Sequence, residues 1–178
     1  MDKQALIVTL ITSFYLNLAR NEQNIEFLLK LKLFKRLNSL MQSNLPNSNI
    51  DSTALCYTNT IFSKLLKNPQ SLEPCMEEEG YGLFIEILRG YQQHKHLFLE
   101  TLDSIKLFLS KREYLKKFSA IPECFKLDAG YQDLNVSFLQ VLAILSFEKE
   151  NHEQLKSESF LQKLEEGQIF HMIQAQFD

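Results

Sequence analysis

Apolar residues along this chain fall into stripes at helical spacing. Phe98, Leu99, Leu102 and Ile105 mark one face of a helix. A shift of 40 residues, from Gly90 to Gly130, carries these four onto Phe138, Leu139, Leu142 and Leu145. The same shift carries Gly90-Tyr91-Gln92 onto Gly130-Tyr131-Gln132. A tripeptide and a helical stripe that recur in one register indicate an internal repeat.

The flanking residues extend the unit. Leu83-Phe84-Ile85-Ile87-Leu88 precedes the first glycine, and Ile121-Cys124-Phe125-Leu127 precedes the second. Pro122 falls early in its stripe, where the first amides of a helix lack partners and proline is tolerated. Gly90 and Gly130 follow, where a left-handed helix cap is expected. The spacing thus predicts a medium helix, a glycine turn and a longer helix. A shorter helix comes first, over Ser71 to Glu79 and again over Lys111 to Phe118.

Composition strengthens the helical assignment. The 178 residues hold 5 glycines and 4 prolines, where average usage would give roughly 12 and 9. Sandwiches, barrels and glycine-looped nucleotide folds need more turn-formers than this. Fourteen phenylalanines and six tyrosines exclude a chain disordered by composition. The length suits one core, or small stacked units sharing one.

Charge and cysteines narrow the partner classes. A net charge of -3 argues against duplex nucleic acid, which calls for a strongly basic face. Cys56, Cys75 and Cys124 have no zinc spacing and are too few for a disulfide scaffold, so we expect reduced, buried thiols. Ala5 to Ile11 is a short apolar run. It lacks a basic flank and a small-residue cleavage site, so secretion is not expected. No stretch approaches the ~18 apolar residues of a membrane span. We therefore expect a cytoplasmic protein that engages neither membrane nor nucleic acid.

Within this frame the chain resembles armadillo repeats. Asn17-Leu18-Ala19 is followed by the polar turn Arg20-Asn21-Glu22-Gln23-Asn24, then Phe27-Leu28-Leu29 and the stripe Leu33-Phe34-Leu37-Leu40-Met41. Glu78-Glu79-Gly80-Tyr81 leads into Leu83 to Leu88, and Phe118-Ser119-Ala120-Ile121-Pro122 is the closest match to the family's hinge. A degenerate copy runs from Leu142 to Leu164. The resemblance implies an all-α, right-handed α-solenoid of about three to four repeats, some incomplete, over residues 1–166. Residues 167–178 form an apolar tail that caps the last repeat or docks on a partner. Lys32 and Ser119 stand where the family places glycine, and Gln42 to Ser52 reads as a surface loop. The sequence opens inside a third helix and closes after a second one. Because solenoid ends need polar caps, we expect a longer array or another chain at that end.

In the family, third helices line a groove in which asparagines grip a peptide backbone. Asn17 matches that position, while its counterparts by register are Lys64, Lys106 and Ser146. Lysine offers donors only and prefers a carboxylate. Asn17, Lys64 and Lys106 are therefore the candidate partner-binding residues, with Lys64 and Lys106 pointing to an acidic or phosphorylated segment. At helix ends such lysines also suit the macrodipole. Glu77-Glu78-Glu79 reads as a solvated face, because consecutive residues splay around a helix. His94 and His96 lack further ligands nearby in sequence for a metal. No catalytic triad, phosphate loop or zinc-protease motif occurs, so neither a cofactor nor an enzyme activity is expected. The expected function is a non-enzymatic scaffold for a protein or peptide partner. The alternative is a structural subunit of a larger complex, its ends covered by other protein.

Overall fold

The computed structural model describes residues 3–42, 52–91, 94–118, 121, 132–147 and 149–152. Of the loop expected over Gln42 to Ser52, the two end residues are helical; residues 43–51, Gly130, Cys124 and the tail at 167–178 lie outside the described residues. Among the described residues every regular element is helical and none is a strand. The chain divides into two compact units, residues 1–86 and 87–178.

The first unit opens with α1 (Lys3–Ala19), which holds no glycine or proline. Its buried residues Val8, Thr12, Leu16 and Ala19 form one face, and α1 packs along α4 (Ser52–Leu66). Hydroxyls buried on these helices are satisfied locally. Thr12 donates to the carbonyls of Val8 and Thr9 at 3.0 Å, and Thr58 donates to Ala54 at 2.9 Å. Such back-bonding lets threonine lie in a helix interior without an orphaned polar atom.

After α1 and after α4 the chain makes the same turn. A 3-10 turn, Glu22–Asn24 or Pro69–Ser71, leads into a short helix, α2 (Ile25–Lys30) or α5 (Leu72–Glu77). A bend then leads into α3 (Leu33–Gln42) or α6 (Tyr81–Gly90). Asn21 and Asn68 start the two turns alike. Each side-chain oxygen accepts the amide two residues on, from Gln23 at 3.0 Å and from Gln70 at 3.1 Å. This satisfies an amide that has no intrahelical partner.

The core of this unit centres on three fully buried rings. Phe34 of α3, Phe62 of α4 and Phe84 of α6 stack edge to face, with centroids 4.9 Å and 5.9 Å apart. Full burial of each such side chain is worth about 1.5–3 kcal/mol, and the edge-to-face geometry adds to it. Leu28, Leu33, Leu37, Met41 and Leu65 of the same unit are likewise fully buried.

The hinges differ from the sequence expectation. No described glycine has positive φ, so Gly90 is not a left-handed cap. Lys32 and Glu79 take that conformation instead, at φ 53° and 57°. Thus Lys32 makes the bend in place of the expected glycine. Gly80 serves a different need. Its amide donates to the Cys75 carbonyl at 2.8 Å, closing α5, and a Cβ there would lie 2.8 Å from the Cys75 sulfur. Close approach, not φ, requires glycine at this position.

In the second unit α7 (Lys95–Leu109) packs on α8 (Gln132–Leu145). The four stripe pairs have matching environments. Phe98 and Phe138, Leu102 and Leu142, and Ile105 and Leu145 are buried, while Leu99 and Leu139 are half-buried. The segment expected as a short helix from Lys111 is a 3-10 helix, Arg112–Phe118. With three residues per turn it brings Leu115 and Phe118 to the same side, and both are buried. Phe118 and Tyr114 pack against the Phe108 ring at 5.7 Å and 6.1 Å.

Candidate functional site

The equivalent turns after α1 and α4 lie beside a cleft of about 470 Å³ in the first unit. Its lining comprises Ala19, Arg20, Glu22 and Ile25 from the first turn, with Lys64, Lys67, Asn68 and Pro69 from the second. Among the described residues three basic side chains and one carboxylate therefore belong to the lining. Arg20 and Lys67 each directly precede the asparagine that starts their turn, so the two cations are structural equivalents.

Of the sequence candidates, Lys64 lines the cleft and is half-buried. Asn17 is exposed and joins the same site indirectly. Its side-chain oxygen accepts a hydrogen bond from Arg20 Nη1 at 3.0 Å, one turn along α1. This contact sets the guanidinium at the cleft edge. Lys106 belongs to the second unit, where its ammonium bonds Asp103 at 3.1 Å. Among the described residues Lys64 and Lys67 form no ion pair.

Backbone bonds also show where the expected register slips. Asn21, Asn68 and Lys111 each donate to the carbonyl three residues back, on Leu18, Leu65 and Phe108. Asn24, Ser71 and Tyr114 then donate to Asn21, Asn68 and Lys111. This alignment matches Asn17 and Lys64 with Leu107, one residue beyond Lys106. Leu107 is exposed.

Arg20 and Lys67 were missed in the sequence because the triplet Asn-Leu-Ala drew attention one step earlier. Aligning Asn21 with Asn68 finds both. Glu78 is likewise more than a solvated charge. Its carboxylate accepts the Lys35 amide at 3.1 Å and so caps the first turn of α3.

Elsewhere chemistry is sparse. Among the described residues no group of three or more His, Cys, Asp or Glu side chains converges as a metal site. Cys75 is a buried thiol, and burial, aided by the nearby Glu78 charge, pushes it well above the usual thiol range. Such a thiol is a poor nucleophile. A separate apolar surface lies on α1, where Leu6, Ile7, Leu10, Ile11 and Phe14 are all exposed. Among the described residues no helix is long and apolar enough to cross a membrane. No protein-family model matches the chain, and neither the curated proteins nor the solved structures gave a match.

Proposed function

We propose that this chain is a non-enzymatic protein-interaction scaffold of armadillo-like, right-handed solenoid type, acting in the cytoplasm. Its partner is an acidic protein segment bound along the surface of the successive long helices. One observation carries this reading: among the described residues, Arg20, Lys64 and Lys67 line one cleft with Glu22 as its one carboxylate. A cleft lined by one sign of charge concentrates ligands of the other sign and steers their approach.

The test is titration of the full chain with a short Asp/Glu-rich peptide at two salt concentrations. Binding should weaken as salt rises, and the double variant Lys64→Glu, Lys67→Glu should weaken it about tenfold or more. Unchanged affinity in that variant overturns the assignment.

A second reading, a structural subunit whose surface is covered by other protein, is favoured by the exposed face of α1. Five large apolar side chains on one helix exceed the scattered exposure of ordinary surfaces. Light scattering separates the two. A monomer that binds the acidic peptide supports the scaffold. Self-association abolished by Leu10→Lys with Phe14→Lys supports the subunit.

A further inference from the structure

We infer that the cleft between the ends of α1 and α4 seats a phosphomonoester, carried on a phosphorylated serine or threonine of the partner segment. This rests on the proposed binding of an acidic segment in the same cleft. Three features point to phosphate in particular.

The first is charge. The lining carries Arg20, Lys64 and Lys67 against Glu22. A carboxylate leaves much of that excess unanswered. A phosphomonoester brings about -1.5 to -2 near neutral pH and matches it.

The second is the fork of Arg20. Guanidinium has five N–H donors, and the contact with the Asn17 oxygen at 3.0 Å uses Nη1. That contact restrains the group from one nitrogen while further donors stay available. A planar fork held in this way suits the paired oxygens of phosphate, and lysine in its place would supply only a point charge.

The third is that Lys64 and Lys67 enter no ion pair among the described residues. By contrast, Lys30 is paired with Glu26 at 2.7 Å and Lys106 with Asp103 at 3.1 Å. A ligand meeting Lys64 and Lys67 need break no ion pair with another described residue. Ala19 and Ile25, both buried, form the apolar part of the cleft wall. Asn17 acts here as a positioning residue for Arg20.

The experiment is calorimetric titration of the full chain with three short acidic peptides that differ only in a central Ser, Glu or phosphoserine. The phosphoserine peptide should bind about tenfold more tightly than the Glu peptide. Arg20→Lys should lower the phosphoserine peptide's affinity by a larger factor than the Glu peptide's, erasing most of that ratio, because charge is kept and the fork is lost. Asn17→Ala should lower the ratio in the same way, with an unchanged circular dichroism spectrum.

Equal binding of the phosphoserine and Glu peptides overturns the phosphate assignment and leaves the acidic-segment reading standing. Binding of none of the three overturns both. A ratio unaffected by Arg20→Lys removes phosphate from this cleft. A single-stranded oligothymidine that binds more tightly than the phosphopeptide reassigns the cleft to nucleic acid and overturns the proposal.

Discussion

The side-chain amide of Asn38 donates to the backbone carbonyl of Glu79 at 3.0 Å, bracing the one left-handed residue between α5 and α6 from within α3. Asn38 is buried, and its own oxygen has no partner among the described residues. Asn38→Ala should therefore destabilise the chain by about 1–2 kcal/mol, the range for a lost hydrogen bond that strands a partly buried carbonyl. Urea unfolding measures this as a lower midpoint at unchanged slope. No change would mean that the carbonyl finds water instead.

Backbone geometry predicts opposite outcomes for neighbouring glycine substitutions. Glu79→Gly and Lys32→Gly should each stabilise the chain by up to about 1 kcal/mol, because left-handed φ is costly for any residue with a Cβ. Gly80→Ala should cost about 1–3 kcal/mol by overpacking, since the new Cβ meets the Cys75 sulfur at 2.8 Å and Phe34 Cβ at 3.2 Å. Gly82→Ala meets nothing within 4 Å and should gain about 0.5–1 kcal/mol in the first turns of α6. Thermal melting of the four variants tests the set.

Asn24 and Asn151 make the same bond, each donating from its side chain to the carbonyl six residues back, on Leu18 at 3.0 Å and Leu145 at 2.9 Å. Ser71 stands at the equivalent place in the second turn, buried, with its hydroxyl lacking a partner among the described residues. Asn24→Ser should cost about 1 kcal/mol. Ser71→Asn should gain about that amount by reaching the Leu65 carbonyl. A loss in the second variant would show that the pocket has no room for the amide.

Stability should fall in alkali. Burial raises the Cys75 thiol well above its usual range, and burial also raises Tyr91. In the unfolded chain both groups lose their protons first, so the protonated folded state is favoured at lower pH. That contribution is complete at neutral pH and is lost as pH rises past about 8.5, where an unfolded thiol ionises. Cys75→Ala should give a lower plateau, from the cavity, but a flatter decline above it. Native Cys75 should also resist thiol reagents that label it in urea.

Much of the fold was legible because helix spacing is a local signal. The stripe pair Phe98 and Phe138 follows from apolar periodicity and the 40-residue shift, and both rings are buried. The site was legible only in part. Lys64 lines the cleft as a helix-end cation, whereas Arg20 and Lys67 come together through the packing of α1 on α4. Nothing in the spacing of either helix encodes that packing. Lys106 differs from Lys64 because Asp103, one turn back on the same helix, neutralises it.

The sequence by itself determined that the chain is helical and where its apolar faces run, since each depends on residues a few positions apart. Tertiary structure alone decided which residue bends each hinge and which cations share a cleft. Glu78 caps α3 and Asn38 braces Glu79 across more than forty positions of chain. With those long-range partners in place, Lys32 and Glu79 hold a strained conformation that local propensity assigns to glycine. Gly80 is then left to answer the closeness of the Cys75 sulfur.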